Sequence, residues 1–377
     1  MAPEPELWSP GPTQVGPGVL GACARPAIGH RTQDMVALIE RIDPHLRTAF
    51  GLAEGSDAHV CVHTCSGSGL MEMALLGVGR RVLSVVNGAF SERWAKVGES
   101  LGREVHRVEV PWGRSFEPAD LARALEEHRP FDAMTLVVNE TSTGVRTPLG
   151  PIAEVRRRFP DVLLLCDVVS YLAGAPVDFD ANGLDFALAG VQKALALPPG
   201  IAVLACSDRF MHSARKQERR GFYLDPVQTI EGHEQRKTPA TPCTPLYFAL
   251  ARQLEDITSG ATLPERDRGR SGADAWRARY EKHERMLAQT TAWAANHGLA
   301  PLPIPADRSP LVSCLRAGQV DVSALVSGLK RRGFQISNGY GALKGETFRI
   351  GHMGDHTEQG LAALLAAADA ELSVRAR

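Results

Sequence analysis

The chain has 377 residues and nearly balanced charges, with 42 Lys and Arg against 43 Asp and Glu. This length suggests two or three domains with a sizeable core, and the charge balance disfavours nucleic acid or an anionic membrane surface as a partner. The seven cysteines are scattered, several of them inside apolar runs, which favours a reducing compartment over a disulfide framework. The N-terminus shows no secretory signal pattern and no apolar stretch has the length of a membrane span, so we expect a cytoplasmic protein without a membrane partner.

Seven short apolar runs alternate with amphipathic segments between residues 59 and 206. The strand-like runs are HVCVHTC (59–65), RVLSVVN (81–87), EVHRVEV (104–110), AMTLVVN (133–139), VLLLCD (162–167), FALAG (186–190) and IAVLAC (201–206). Segments with helical periodicity, such as FSERWAKVGESLG and PADLARALEEH, lie between most of them. The alternation predicts an α/β domain around a mostly parallel seven-stranded sheet, in which ligands bind beyond the carboxyl ends of the strands.

The C-terminal part of the chain has a different, α+β pattern. A polar stretch, RKTPATPCTP, is followed by the helical segments LYFALARQLEDI and ADAWRARYEKHERMLAQTTAWAANHG. SPLVSCLRA and ETFRIGHMGD are predicted strands, the segment between them is a predicted helix with Asp321 as N-cap, and the Ala/Leu-rich tail is a predicted final helix. We therefore predict an N-terminal segment (1–14), a large domain (15–255) and a smaller C-terminal α+β domain (256–377).

Three features at predicted strand ends could carry chemistry. SGSG (66–69) follows the first strand and begins a helix, where free backbone N–H groups can bind a phosphate, although a simple tight turn gives the same pattern. Asp167 closes VLLLCD and is either a buried carboxylate with a partner or a helix N-cap. Lys193 lies in the apolar segment GVQKALALPPG, where desolvation would make it a nucleophilic amine unless its side chain snorkels to the surface.

Taken together, these three features fit one cofactor better than they fit separate roles. Pyridoxal phosphate needs a lysine for a Schiff base, an acid beside its pyridine nitrogen and a phosphate site. A dinucleotide fingerprint is disfavoured, because the strand after SGSG ends in Asn87 rather than in an acid.

The chain resembles class V, fold-type I pyridoxal-phosphate aminotransferases, most closely the serine/alanine–glyoxylate branch. The resemblance extends from SPGPT to HMGD and is most specific in GVQKALALPPG, with CDVVS before it and FRIGHMG after it. It implies that Lys193 is the Schiff-base lysine, that Gln192 lies at or beside the phosphate and that Asp167 is the pyridinium partner. The phosphate turn matches Ser66, Gly67 and Ser68.

The same resemblance implies roles for further residues. Phe90 matches an aromatic ring over the cofactor, and Ser142 matches a hydroxyl near its O3′ oxygen. Thr241 matches a residue that reaches the phosphate of the neighbouring subunit, which implies a homodimer with shared active sites. Arg349 matches the arginine that binds the substrate α-carboxylate, and Gly11 is expected near the substrate. The implied reaction is transamination between small amino acids and 2-oxo acids, with Lys193 moving the Cα proton.

Several alternatives stay open. His30 and Arg31 resemble a pair that contacts the substrate phosphate in phosphoserine aminotransferases, which makes that activity the runner-up. A class V lyase is less well matched, because that branch usually has histidines where Gln192 and Phe90 stand, and a non-catalytic cofactor-binding homologue is the remaining reading. A metal site in HVCVHTC is disfavoured, since same-face residues on one strand are about 6.6 Å apart and cannot enclose one ion.

Overall fold

A seven-stranded sheet formed by the seven predicted runs is the centre of the computed structural model, which describes residues 4–373. The strands are β1 (Glu6–Leu7), β2 (His59–His63), β3 (Arg81–Val86), β4 (Glu104–Glu109), β5 (Ala133–Val137), β6 (Asn139–Glu140), β7 (Val145–Arg146), β8 (Leu163–Asp167), β9 (Phe186–Gly190), β10 (Ala202–Cys206), β11 (Val312–Arg316), β12 (Phe334–Gln335), β13 (Ser337–Asn338) and β14 (Thr347–Gly351). The α-helices are α1 (Pro17–Cys23), α2 (Gln33–Phe50), α3 (Gly67–Leu76), α4 (Ala89–Ser100), α5 (Pro118–Glu127), α6 (Leu149–Arg158), α7 (Asp208–Arg215), α8 (Pro226–Glu234), α9 (Thr244–Ser259), α10 (Ala273–Asn296), α11 (Val322–Arg331) and α12 (Glu358–Ser373). The predicted α/β fold is confirmed.

The order of the strands in the sheet determines where a ligand can bind. The order is β2-β10-β9-β8-β5-β3-β4, and β10 alone in this sheet runs antiparallel to its two neighbours. The carboxyl ends of the other six strands therefore lie at one edge. SGSG, the start of α4, the NETSTG loop and Lys193 follow β2, β3, β5 and β9, and Asp167 is the last residue of β8, so all of these meet at that edge.

Helices cover both faces of the sheet. All residues of β5, β8, β9 and β10 are buried, as is typical of strands covered on two sides. One apolar cluster joins the sheet to α2, α5, α6 and α9, and a second joins its other face to α3, α4, α7 and α8. Within residues 4–373, no helix combines the length and apolar character needed to cross a membrane.

A smaller three-stranded sheet, in the order β11-β14-β13, lies in the C-terminal part. A third apolar cluster packs it against α10, α11 and α12, as the sequence pattern predicts. The predicted domain boundary near residue 255 falls within α9, and the domain ranges stay a prediction. Residues 1–3 and 374–377 of those ranges lie outside the described part of the chain.

Two connections tie this smaller sheet to the edge of the main sheet. The first is the segment of residues 6–13, here called the N-terminal strap. Its strand β1 pairs with β12, Gly351 N–H donates to Trp8 O (2.7 Å), and Thr13 N–H donates to Gln192 O (3.2 Å). The strap therefore runs from the small sheet to the residue that precedes Lys193.

The second connection is Arg279 on α10, whose side chain is fully buried. Its guanidinium donates to Ala173 O (2.9 Å) and Ala194 O (2.7 Å) and pairs with Asp355 (2.8 Å). One side chain thus fixes the loop after β8, the residue after Lys193 and the loop after β14.

Candidate active site

Lys193 lies in the loop between β9 and β10, and its side chain is 9% exposed. Its Nζ donates a hydrogen bond to Pro10 O in the N-terminal strap (2.6 Å). The pKa of Lys193 is lowered to about 8, chiefly by burial and also by the Arg349 guanidinium, while Asp167 acts in the opposite direction. The snorkelling alternative is therefore excluded, and the amine can lose its proton near neutral pH.

Gly11 covers the Lys193 side chain from the strap. Its φ of +118° is in a region that residues with a Cβ rarely adopt. A Cβ built at Gly11 would lie 2.2 Å from Lys193 Nζ and 2.4 Å from its Cδ. Only glycine lets the strap pass this close to the amine, which agrees with the expected position of Gly11 beside the site.

Asp167 is the last residue of β8 and is buried. Its Oδ1 accepts a hydrogen bond from the backbone N–H of Val169 (2.7 Å), two residues along the chain. Burial raises the pKa of the Asp167 carboxyl to about 7, the Val169 N–H opposes this shift, and Glu140 adds to it. A positively charged group beside this carboxyl would favour its ionised form.

The SGSG segment forms the N-terminus of α3, as predicted. Ser66 is the N-cap, and its side chain accepts a hydrogen bond from Gly69 N–H (3.4 Å). The backbone N–H groups of the first helical turn have no partners within the helix, which makes this end suited to an anion. A Cβ at Gly67 would lie 2.9 Å from the Val169 side chain, so the phosphate turn lies beside the loop that follows Asp167.

Glu140, which the sequence analysis did not single out, organises the first turn of α4. It is fully buried. Its carboxyl oxygens accept hydrogen bonds from the backbone N–H groups of Phe90 (3.1 Å) and Ser91 (3.0 Å) and from the Ser142 hydroxyl (2.5 Å). A carboxylate at a helix N-terminus satisfies free N–H groups and complements the helix dipole. The sequence signal was a single acid in the loop segment NETSTG, which is not distinctive.

The Phe90 ring lies close to Lys193, because Glu140 holds its backbone. The distance from Lys193 Nζ to the centre of the Phe90 ring is 5.8 Å. Ser142 is also adjacent, but its hydroxyl is engaged with Glu140 and with the N–H of Ala89 (3.0 Å). The structure thus brings Phe90 to the amine, whereas the Ser142 hydroxyl is bonded to Glu140 and to the start of α4.

Arg349 extends from β14 toward the same edge. Its Nε donates to Asn338 O (3.1 Å) and its Nη1 to Thr141 O (3.2 Å), so both partners are neutral carbonyl groups. The guanidinium carbon lies 5.4 Å from the centre of the Tyr340 ring. Tyr340 is a second residue that the sequence analysis missed, because GYGALKG resembles an ordinary turn.

The remaining predicted residues lie farther out. The backbone carbonyl of Gln192 binds the strap, and its side chain is half-buried. Thr241 and Arg31 are exposed in the single chain, and neither has a hydrogen bond or ion pair with another described residue. Among residues 4–373, no group of three or more His, Cys, Asp and Glu side chains is arranged to hold a metal ion.

Comparisons with known proteins give a consistent result. Residues 27–259 match the family model described as aminotransferase class-V. An uncharacterized aminotransferase of Methanocaldococcus jannaschii is 33% identical over 97% of this chain and 92% of its own length. A serine–glyoxylate aminotransferase of Methylorubrum extorquens is 29% identical over 97% of this chain and 90% of its own length. The solved alanine–glyoxylate aminotransferase of a Nostoc species is 27% identical with a TM-score of 0.87, covering 99% of this chain and 96% of that one.

The role of Glu140 predicts a specific loss of stability. In Glu140→Gln, an amide group that donates hydrogen bonds would face backbone N–H donors, and we expect unfolding free energy to fall by about 1–3 kcal/mol. Glu99, on helix α4, is exposed and pairs with Arg107 (2.8 Å), so Glu99→Gln should cost less than about 1 kcal/mol. Urea unfolding of both variants measures the difference, and equal losses would contradict the assigned role.

The burial of Lys193 predicts a pH-dependent stability. Its folded pKa of about 8 lies below the ordinary value of 10.5, so below pH 8 the amine is charged in both states and the cost of burying that charge is fully present. That cost is about 3 kcal/mol on a scale of about 1.36 kcal/mol per pKa unit. The folded chain loses its proton first as pH rises, so the wild-type chain gains stability between pH 8 and 10.5.

We therefore expect the unliganded Lys193→Met variant to be more stable than the unliganded wild type at neutral pH, with a gap that narrows above pH 8. Urea unfolding at neutral and alkaline pH measures this gap. Exposed Lys96 provides the control, since Lys96→Met should show no such pH-dependent gap. A gap that stays constant or widens with pH would argue against a buried, charged amine.

Proposed function

We propose that this chain, which belongs to the class V aminotransferase family, transfers an amino group from serine or alanine to a 2-oxo acid such as glyoxylate or pyruvate. Pyridoxal 5′-phosphate is the cofactor of this family, and the fold is that of fold-type I aminotransferases. The names of the relatives from Methylorubrum and Nostoc, a serine–glyoxylate and an alanine–glyoxylate aminotransferase, support these donors and the acceptor glyoxylate.

The residues at the sheet edge fit this cofactor. The first turn of α3 offers N–H groups for a phosphate. The Asp167 carboxyl is buried, accepts only the Val169 N–H among the described residues, and would be stabilised as an anion by a protonated pyridine nitrogen. Lys193 presents a buried amine that is readily deprotonated. When bound, pyridoxal phosphate supplies an aldehyde carbon that reacts with amines and a ring that accepts electrons.

Each side chain then has a proposed task. Lys193 would hold the cofactor through its aldehyde carbon, and its free amine would take the proton from the substrate Cα as a general base. Arg349 would bind the substrate α-carboxylate with its planar fork and so orient the Cα–H bond. Phe90 would exclude water from the cofactor, and Asp167 would favour a protonated pyridine nitrogen. Gly11 leaves space for the Lys193 side chain.

The remaining predicted residues complete the cofactor site. We assign the phosphate to Ser66, Gly67, Ser68 and Gln192, with Thr241 contributed by a second copy of the chain. We keep Ser142 near the O3′ oxygen as a proposal, although its hydroxyl is bonded to Glu140 here.

The single observation that carries the proposal is the convergence of Lys193, Asp167 and Arg349 at one sheet edge, close enough for both other charges to shift the pKa of Lys193. We rank phosphoserine lower as a donor, because Arg31 is exposed and makes no contact with this site within the chain. A lyase or a non-catalytic role gains no support from the site, in which Lys193, Asp167 and Arg349 are all present.

The function is tested by mixing the purified holoenzyme with single amino acids and following the visible absorbance of its cofactor. We expect serine and alanine to bleach the band, and glyoxylate or pyruvate to restore it. Lys193→Ala should lack the wild-type band and lose amino transfer by a factor on the order of 10³. A variant that keeps the wild-type band or the activity would refute the role of Lys193, and failure of every donor would refute the transaminase function.

We further infer a homodimer with shared active sites in the cytoplasm. Thr241 is exposed in a loop anchored beside the phosphate turn, where Cys243 N–H donates to the Thr64 hydroxyl (3.1 Å), and nearby Phe222 is 74% exposed. All seven cysteines are free thiols, which suits a reducing compartment.

Sedimentation of the active enzyme should give twice the 40.6 kDa chain mass. Lys193→Ala chains and Thr241→Ala chains can be mixed to form dimers that contain one of each. Such a dimer has one site in which both residues are wild type and one site in which both are substituted, so the mixture should regain part of the activity but not all of it. An active monomer would contradict shared sites.

A further inference from the structure

Arg93 on α4 is a cation without a counter-ion at the mouth of the proposed active site. Other charged residues on this helix are paired, with Lys96 bound to Glu92 (2.6 Å) and Glu99 bound to Arg107 (2.8 Å). Arg93, in contrast, has no carboxylate partner among residues 4–373. Its two hydrogen bonds go to neutral hydroxyls, those of Tyr340 (3.3 Å) and Ser68 (3.5 Å), and both are long.

The position of Arg93 places its charge beside the reacting groups. Its guanidinium carbon lies 4.9 Å from the centre of the Phe90 ring, and Lys193 Nζ lies 5.8 Å from the same centre. The Phe90 and Tyr340 rings are also in contact, with centres 5.5 Å apart. Arg93 is solvent-exposed, and it borders the site through its contacts with Phe90, Tyr340 and Ser68.

Tyr340 separates Arg93 from the second unpaired guanidinium, that of Arg349. Arg93 binds the Tyr340 hydroxyl, while the Arg349 guanidinium carbon lies 5.4 Å from the ring centre. Tyr340 is therefore a neighbour that both arginines share. Carboxylates are the preferred partners of such planar forks, and a dicarboxylic acid offers one carboxylate to each arginine.

The charges that surround these arginines leave them available. The Glu140 carboxyl accepts hydrogen bonds from the N-terminus of α4 and from Ser142. The two hydrogen bonds of Arg349 go to backbone carbonyls. Among the described residues, Arg93 therefore still has no carboxylate partner after the α-carboxylate of a monocarboxylic substrate has bound Arg349.

We infer that Arg93 binds the second carboxylate of a dicarboxylic amino acid or 2-oxo acid whose α-carboxylate is held by Arg349. The inference rests on the proposed function and extends its substrate class from small monocarboxylic donors to aspartate and its 2-oxo acid. Arg93 acts in this role as a specificity-determining residue. Tyr340 keeps its guanidinium in place through the hydroxyl contact.

The test compares aspartate with asparagine, which has nearly the same shape but no second charge. In the wild-type enzyme, kcat/KM should be higher for aspartate than for asparagine, and Arg93→Gln should lower the ratio of the two values at least tenfold. Lys96 is the matched control, because it lies one turn along the same helix and lines the same surface cavity of about 530 Å³. Lys96→Gln should leave the ratio unchanged.

A binding measurement separates recognition from turnover. Succinate, which has two carboxylates and no amine, should bind the holoenzyme at least tenfold more weakly in Arg93→Gln than in the wild type, measured by calorimetry. Butyrate, with one carboxylate, should show a much smaller change.

Three outcomes would overturn the inference. One is a wild-type enzyme that does not discriminate between aspartate and asparagine, and a second is an Arg93→Gln variant in which the two kcat/KM values fall equally. A third is a loss of pyridoxal-phosphate affinity in Arg93→Gln with an unchanged ratio, which would assign Arg93 to the phosphate beside Ser68. Each of these is distinct from failure of the proposed function, in which no amino acid would bleach the wild-type enzyme.

Discussion

A lysine amine gives up strong hydration when it leaves water, and Lys193 does so at the edge where five chain segments meet. The protein offers it one hydrogen-bond acceptor, Pro10 O, at 2.6 Å. It also places Arg349 near enough to disfavour the charged form, so that the pKa falls to about 8. The surrounding structure has to hold this unfavourable arrangement in place. The N-terminal strap, the loop after β9 and helix α10 all serve that purpose, since each contacts Lys193 or its immediate neighbours.

The buried cations of this molecule are held largely by neutral backbone carbonyls. Arg279 binds two carbonyls and one carboxylate, and Arg349 binds two carbonyls. A carbonyl satisfies a guanidinium N–H without cancelling its charge. The charge of Arg349 is therefore not neutralised by its two partners, so this side chain is suited to bind an anion. The charge of Arg279 is paired with Asp355, which is typical of a structural arginine. The hydrogen-bond partners of the two arginines therefore agree with the proposed substrate-binding role of Arg349 and with a structural role for Arg279.

The fold was predictable because its strands are short apolar runs at regular intervals, and each run became a strand of the main sheet. The positions of Lys193 and Asp167 at the sheet edge were predictable, because a charged residue in an apolar segment is conspicuous. Glu140, Tyr340 and Arg93 were not, since each lies in a polar segment whose composition is that of an ordinary loop or helix surface. Their partners are also distant along the chain: Arg93 and Tyr340 are 247 residues apart, and Lys193 and Pro10 are 183 apart. Contacts of this kind depend on the strand order and on the path of the strap. The pattern of residues within one short segment does not predict them.

The charges around Lys193 also link substrate binding to its basicity. Burial is the largest cause of its lowered pKa, and the Arg349 and Arg93 guanidinium groups both lower it further. A carboxylate bound to Arg349 offsets the positive charge that the lysine amine experiences, so the pKa of Lys193 rises when substrate occupies that position. With a pKa of about 8, the amine in the empty site loses its proton more easily than an exposed lysine does, and a bound carboxylate would make the same amine a stronger proton acceptor. In the proposed function, the arginine that orients the substrate would therefore also adjust the base that acts on it, because both effects come from one guanidinium that has no carboxylate partner among the described residues.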